Sequence, residues 1–171
     1  MSQLRLARLC LMLAAVGLSA PALTTAVHAQ EKPAAEAPKD TVRPELFKLL
    51  DPAAIKPLMD AKNYAEVQNR VQQAEAFPNR TPYEDYVVNR MKLSLGSATN
   101  NNATAMPALE AVINSGRLQG QEQADFILAL GNMHYNAKDY TKAIEWFKRY
   151  QKESATPEKV TPSLIRAHYL G

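Results

Sequence analysis

Apolar residues recur at three- and four-residue steps along most of the chain beyond residue 43, which is the spacing of one face of a helix. The pattern is clearest from residue 124 to residue 150, where the polar stretch 136–139 separates two apolar stripes. It predicts two helices joined by a turn, with Asp139 as N-cap of the second, because its carboxylate can accept hydrogen bonds from the free amides of the first turn. The stripe residues are Phe126, Ile127, Leu130, Met133 and His134, then Tyr140, Ala143, Ile144 and Phe147.

Gly131 lies inside the first of these two helices, where a glycine costs about 1 kcal/mol relative to alanine. A glycine at such a position indicates that another backbone comes close. We expect Gly131 to lie against Ala143 across the turn, so that two small residues allow the helices to pack tightly.

The residues of this stretch follow the order and spacing of the tetratricopeptide repeat, a helix–turn–helix unit of about 34 residues, and the stretch resembles that family. The matching residues are Leu130, Gly131, Tyr135, Asp139, Tyr140, Ala143 and Phe147. The departures are Ile127 for an early Trp, Lys138 for a turn Gly, Tyr150 for a late Ala, and Pro157, which comes late. The resemblance implies an all-α fold whose repeats stack as a right-handed α-solenoid and present a groove to another protein.

Residues 44–78 carry a weaker version of the same pattern, with Asn63 and Tyr64 between two apolar faces. Pro57 falls within the first of its helices, which is therefore short or begins near residue 51 or 54. We interpret the segment as a divergent repeat, and an unrelated helical hairpin is the alternative. The apolar residues are Leu46, Phe47, Leu50, Ile55, Leu58, Met59, Val67, Val71 and Ala74.

Residues 81–116 form the least regular of the predicted helical pairs. Thr81 is a suitable N-cap because Pro82 follows it in the first helical position. A long turn over 96–102 leads to a second helix from about Thr104, with Pro107 in its first turn and an end at Ser115–Gly116. The predicted stripes are Tyr83, Val87, Met91 and Leu95, then Met106, Leu109, Val112 and Ile113.

The spacing of the turns indicates stacked repeats. Tyr64 and Tyr140 lie 76 residues apart, or about 38 per unit, and such periods are typical of solenoids. Residues 121–157 are the central unit, and 160–171 begin a partial one that is too apolar for a capping helix. We therefore expect a fragment of a longer repeat protein, with self-association through an open C-terminal end. The alternative is a last helix that docks on its own chain or on a dimer partner.

The N-terminal residues 1–29 have the features of an export signal. Arg5 and Arg8 precede an apolar run over 9–20, and residues 27–29 offer a cleavage site. The run is shorter than the roughly 20 residues of a spanning helix, so we expect no membrane span after cleavage, and an uncleaved anchor is the alternative. Residues 30–42, rich in Pro, Ala and charge, are predicted to be a disordered linker before a repeat domain at 43–171.

Removal of the signal changes the composition. The only cysteine, Cys10, leaves with it, and the net charge falls from +3 to +1 once Arg5 and Arg8 are gone. A nearly neutral chain lacks the dense basic face that nucleic acid requires. We expect a bacterial periplasmic protein that does not bind nucleic acid.

The sequence contains no phosphate-binding loop, helical zinc motif or nucleophile elbow, so we predict that the chain is not an enzyme and holds no cofactor. His134 and His168 lie at similar places in successive predicted units and could approach one another, with Asp125 or Asp139 as a further ligand. Two loosely placed histidines make a weak site, because zinc requires three or four fixed ligands. We predict no metal.

The resemblance implies that the first helix of each repeat lines the groove. On the central unit, this face away from the core carries Asp125, Leu128, Asn132, Tyr135 and Asn136. Asparagine side chains offer a donor and an acceptor to the backbone of an extended peptide, and a tyrosine gives a rigid amphipathic contact. These five residues are the predicted partner-binding groove.

Two functions fit these features. The first is an exported adaptor that binds a protein or peptide in the cell envelope. The second is the N-terminal scaffold of a larger exported protein whose C-terminal part acts in the envelope. The lack of a catalytic motif favours the adaptor.

Overall fold

A computed structural model describes residues 40–171, and these residues form helices and turns with no strand among them. The prediction of an all-α chain is confirmed for this part. The predicted signal peptide and most of the predicted linker lie outside it. The helices are α1 (Pro44–Leu50), α2 (Pro52–Asp60), α3 (Tyr64–Glu75), α4 (Pro82–Ala98), α5 (Asn102–Asn114), α6 (Gly120–Asn136), α7 (Tyr140–Glu153) and α8 (Thr161–Leu170), with a 3₁₀ turn at Pro157–Val160.

Helices α3 to α7 recur with a constant period of 38 residues. Helices α3, α5 and α7 begin at residues 64, 102 and 140, and helices α4 and α6 begin at residues 82 and 120. Together α1 and α2 cover residues 44–60, which is the span that lies one period before α4. The described residues therefore contain three equally spaced helix–turn–helix units. The period is the one predicted from Tyr64 and Tyr140.

The turn inside each unit has the same backbone conformation. Lys62, Asn100 and Lys138, one period apart, have φ values of 56°, 53° and 63°, in the left-handed region. The residue after each of them donates its N–H to a carbonyl five residues earlier, at 2.8 to 2.9 Å. These are the hydrogen bonds that close a helix with a left-handed C′ residue.

The residue that closes one helix also caps the next. The side-chain oxygens of Asn63, Asn101 and Asp139 accept from the backbone N–H three residues on, at 3.5, 3.2 and 3.2 Å. One short polar residue thus satisfies free backbone groups of both helices. The N-cap role predicted for Asp139 is confirmed.

The first helix of the first unit is broken where the others are continuous. Pro52 has no N–H to donate, and Asp51 leaves the helical conformation with φ −53° and ψ 119°. The Asp51 carboxylate then caps α2 by accepting from Ala53 N at 2.9 Å. Helix α2 begins close to one of the two predicted starts and contains Pro57.

In the second unit, the predicted turn and the predicted position of Pro107 differ from the structure. Helix α4 continues to Ala98 and α5 begins at Asn102, so the long turn predicted over 96–102 is wrong. Gly96 does not end the helix, because it lies where α5 passes closest: a Cβ there would be 2.8 Å from the backbone N of Ala105. Pro107 is consequently inside α5 and not in its first turn.

The stripe predicted on α4 is confirmed at Leu95, which is buried, but is displaced by one residue in the first half of the helix. Glu84 and Val88 are buried, whereas Tyr83, Val87 and Met91 are only half-buried. The helix turns this way because the buried Glu84 carboxylate binds the partly exposed side chain of Arg43. The partner predicted for Gly131 is also wrong, since a Cβ there would meet the Phe147 ring at 2.7 Å, and Ala143 is not among its nearest neighbours.

The buried apolar residues form two clusters. The first cluster joins α1 to α4 and is aliphatic, whereas the second joins α5 to α8 and contains buried aromatic rings. The first consists of Leu46, Leu50, Ile55, Val67, Val71, Ala74, Val88 and Leu95. The second consists of Leu109, Val112, Ile113, Leu118, Ala124, Ile127, Leu130, Ala143, Trp146, Phe147, Tyr150, Val160 and Leu164.

Glu84 joins the first unit to the second through a fully buried carboxylate. It completes a capping box with Thr81 and accepts from Arg43 through the backbone N at 2.9 Å and through Nε and Nη2 at 2.8 Å. The hydrogen bonds from Arg43 lower the pKa of Glu84 to about 2. Arg80 lies beside this pair and donates to the carbonyls of Ala74, Glu75 and Phe77, which end α3.

Helix α8 packs on α7 through Leu164 and Ala167. Three large apolar side chains on its other side, Ile165, Tyr169 and Leu170, are 66%, 89% and 51% exposed. Among the described helices, none has the length and apolar character needed to cross a membrane.

Candidate partner-binding surface

The five residues of the predicted groove lie along one side of α6. Asp125, Asn132 and Asn136 are exposed, whereas Leu128 and Tyr135 are half-buried and pack against the second core cluster. Asp125 accepts a hydrogen bond from Gln121 one turn earlier at 2.8 Å. The side therefore presents two amides and a carboxylate to solvent next to an apolar base.

Tyr135 has a fixed ring. It meets the ring of Tyr140 edge-on at 5.5 Å and the ring of Phe147 at 6.5 Å, so it lies between the end of α6 and the start of α7. Edge-to-face contacts of this kind favour a single orientation of the ring. A partner that contacts Tyr135 meets a side chain that has little freedom to lose.

The period extends this surface to the neighbouring units. Arg90 lies one period before Leu128, and Arg166 lies one period after it. The residues of α4 that correspond to the predicted groove are Val87, Arg90, Ser94, Ser97 and Ala98, and those of α8 are Ser163, Arg166 and Leu170.

Arg90 belongs to a group of side chains that was not predicted from the sequence. We call Tyr83, Tyr86, Arg90, Arg117 and Phe126 the aromatic–arginine cluster. The Arg90 guanidinium lies 5.9 Å from the centre of the Tyr86 ring and 5.4 Å from that of Phe126. The Arg117 guanidinium lies 4.9 Å from the Tyr83 ring and 5.9 Å from the Tyr86 ring. These distances are those of cation–π contacts.

Each arginine of the cluster also binds one carboxylate. Arg90 Nη1 is 2.8 Å from Glu122 Oε1 on α6, and Arg117 Nη1 is 2.6 Å from Asp40 Oδ2, before α1. The hydrogen bond to Asp40 raises the pKa of Arg117 further above its ordinary value. The cluster thus joins the second unit to the third and to the start of the described chain.

Part of this cluster has a signal in the sequence. Tyr83, Tyr86 and Arg90 recur at helical spacing on one side of α4, which could have been recognised as a face. Arg117 lies in the loop between α5 and α6, and the sequence gives no indication that it reaches Tyr83.

The two histidines considered as metal ligands lie in different surroundings. His134 is buried, with its Nδ1 3.3 Å from Asp139 Oδ2, and neither ring nitrogen makes a hydrogen bond within the described chain. His168 is exposed on α8. Residues 40–171 contain no group of three His, Cys, Asp or Glu side chains that could hold a metal ion.

A cavity of about 290 Å³ lies between α3, α4 and α5. Its wall includes Val71, Gly96 and Thr104, and the ion pair of Lys92 with Glu75 at 2.5 Å lies on its edge. None of the five predicted groove residues lines it, so it is separate from the surface on α6.

No family model, curated protein or solved structure matches this chain. Its relation to helical repeats therefore rests on its own internal spacing and on the turn that recurs three times.

Proposed function

We propose that residues 43–171 act as a tetratricopeptide-like adaptor that binds a protein or peptide partner. The recurrence of one helix–turn–helix unit at a period of 38 residues supports this proposal most strongly. Repeats of this kind present successive first helices side by side as an extended binding surface. In this chain those helices are α1 with α2, then α4 and α6.

The chemistry of α6 suits an extended peptide. A peptide in that conformation has free backbone N–H and C=O groups, and the side chains of Asn132 and Asn136 can each donate and accept. The fixed ring of Tyr135 offers apolar contact beside them. Because these side chains are exposed or anchored, binding would require little rearrangement of the described chain.

The composition of the N-terminal residues bears on the cellular compartment in which the adaptor acts. A positively charged start, a short apolar run and a Pro- and Ala-rich stretch are typical of an exported domain on a tether. We propose that the adaptor acts in the bacterial periplasm. Its use as the scaffold of a larger exported protein is the second form of the same proposal.

The apolar side of α8 favours an additional role in assembly. Ile165 and Tyr169 lie one period after Ile127 and Gly131. In α6, Gly131 faces Phe147 of α7 and Ile127 is buried in the second core cluster. The side of α8 that corresponds to a helix–helix contact is thus exposed. We propose that a second copy of the chain covers it.

Light scattering across a range of protein concentrations tests this role. Ile165→Ser with Tyr169→Ser should give a monomer at concentrations where the parent chain associates, and Arg166→Ser is the matched control. A parent chain that stays monomeric throughout would contradict the proposal.

Selection from a random peptide library tests the adaptor function itself. Peptides that bind the full chain should lose about tenfold in affinity with Asn132→Ala combined with Asn136→Ala, which corresponds to about 1.4 kcal/mol. Glu110→Ala, at an exposed position on α5, is the matched control. A library that yields no binder, or binders that are equally sensitive to Glu110→Ala, would refute the proposal.

A further inference from the structure

We propose that the aromatic–arginine cluster binds the carboxylate of an acidic side chain in an extended partner peptide, and that Asp40 occupies this site when no partner is bound. The inference rests on the proposed adaptor function and names the chemistry that it recognises. The site is formed by α4, α6 and the loop before α6 that carries Arg117. It lies next to the predicted groove, because Arg90 is the counterpart of Leu128 one period earlier.

The first support is that both guanidinium groups are held in place. A single ring, Tyr86, lies 5.9 Å from the guanidinium of Arg90 and 5.9 Å from that of Arg117. Tyr83 stacks on Tyr86 with ring centres 6.2 Å apart, and the ring centre of Phe126 lies 5.4 Å from the Arg90 guanidinium. A stacked arginine is ordered before a ligand arrives, so less entropy is lost when its planar donors bind a carboxylate.

The second support is that the chain already places a carboxylate there. Residues 40–43 are not helical, and Asp40 Oδ2 lies 2.6 Å from Arg117 Nη1. Val42 packs against the first core cluster, and the backbone N of Arg43 donates to Glu84 at 2.9 Å. The surface thus holds an acidic residue of a non-helical segment, which is the form of ligand that we infer.

The third support is that Asp40 can be displaced at small cost. Its side chain is 59% exposed, whereas that of Arg117 is 25% exposed. Exposed ion pairs contribute little to stability, so releasing this one would not unfold the segment that Val42 and Arg43 anchor. A partner carboxylate would replace Asp40 at Arg117, and its flanking residues would pass Arg90 and Glu122 toward the side of α6 that carries Asn132.

A direct competition measures this exchange. The probe is a fluorescent, capped peptide with the sequence of residues 36–42 (EAPKDTV), and its matched control carries Asn in place of the second acidic residue (EAPKNTV). Fluorescence anisotropy is measured with the full chain and with its Asp40→Ala variant. We expect Asp40→Ala to bind the probe about tenfold more tightly than the parent chain, because an occupied site lowers the apparent affinity in proportion to its free fraction. The control peptide should bind both proteins equally weakly.

Arg117→Lys in the Asp40→Ala background identifies the site. It keeps the charge and loses the planar stacking, so it should reverse most of the gain, whereas Arg166→Lys on α8 should not. Thermal unfolding of each variant shows whether the fold is retained. If Arg117→Lys unfolds the chain, the variant Glu122→Ala is tested in its place. Glu122→Ala should strengthen probe binding, because it frees Arg90 from its ion pair.

The outcomes separate this inference from the adaptor proposal. Equal binding of the probe to the parent chain and to Asp40→Ala would overturn the inference, as would tight binding of the control peptide. If library-selected peptides still depend on Asn132 and Asn136 in that case, the adaptor function stands and only the carboxylate site is wrong.

Discussion

The first and third units share one turn and differ in what holds them together. Their caps, Asn63 and Asp139, make the same hydrogen bonds, two periods apart. At matching positions of the second helix, however, the first unit buries Val71 where the third buries Phe147. The first unit also has a broken first helix and depends on an ion pair at its edge, in which the Glu84 carboxylate is buried and the Arg43 side chain is partly exposed. A constant turn therefore fixes the geometry of the hairpin, and the buried side chains decide how stable each hairpin is.

The difference follows from the area that each side chain removes from water. A buried aromatic ring covers more apolar surface than a valine and adds specific ring contacts. Tyr150 and Phe147 are the largest fully buried side chains of the described residues. The first unit has no ring at the equivalent places and relies on Arg43, Arg80 and Glu84 to hold its second helix against α4.

The largest expected effect is a cavity in the third unit. Phe147→Ala should lower the free energy of unfolding by about 4 kcal/mol, because it removes a ring that Gly131 and Tyr135 contact. The matched change in the first unit, Val71→Ala, should cost about 1.5 kcal/mol. Urea unfolding of the two variants checks the difference. Equal losses would show that the two cores contribute alike.

The next effect concerns the polar junction. Glu84→Gln should lower the free energy of unfolding by about 2 kcal/mol, since the amide cannot accept all the hydrogen bonds that Arg43 and Thr81 donate. Glu110→Gln, on the exposed side of α5, is the control and should have no effect. Substitutions at this junction should lower the stability of the first unit more than that of the third. Hydrogen exchange measures this, because the amides of α3 should lose more protection than those of α7.

The same junction predicts a dependence on pH. The pKa of Glu84 is about 2 in the folded chain and about 4.5 when the group is free, so the folded state prefers the ionised form. Its contribution is complete above about pH 4.5 and is lost as the pH falls toward 2. Urea midpoints measured from pH 5 to pH 2 should therefore fall more steeply in the parent chain than in Glu84→Gln. Parallel curves would mean that the ion pair contributes nothing.

The smallest expected effect should raise stability. Lys138 adopts φ 63°, which a glycine reaches without steric cost. Lys138→Gly should stabilise the chain by about 0.5 kcal/mol, and Lys62→Gly should do the same in the first unit, because the turns are alike. Lys142→Gly, in the first turn of α7, is the opposite control and should destabilise. Thermal melting measures all three.

The features that the sequence predicted are those determined by neighbouring residues. Asp139 caps α7 by accepting from the backbone N–H three residues on, and the helix that contains Pro57 begins close to one of its two predicted starts. The prediction of a long turn over 96–102 is wrong because a glycine such as Gly96 often marks the end of a helix. Here the glycine is required by the close approach of Ala105 from α5.

The features that the sequence did not predict depend on distant contacts. Glu84 is buried because Arg43 reaches it from 41 residues away, and Arg117 meets Asp40 across 77 residues. The helical spacing of apolar residues gives no information about pairs that lie so far apart in the sequence. The groove proposed on α6 remains a prediction. In the aromatic–arginine cluster beside it, the face formed by Tyr83, Tyr86 and Arg90 has a signal in the sequence, whereas the contacts of Arg117 are found only from the fold.

The equal spacing of the three units has a consequence for how the chain could change over generations. A recombination event that adds or removes one period joins the first helix of one unit to the capping turn of another unit, and the capping turns of the three units are alike. Such an event needs no new loop and leaves the hairpin geometry intact. Gain or loss of a whole module, together with the contacts it carries, is therefore an easier route to a new partner than remodelling a single turn.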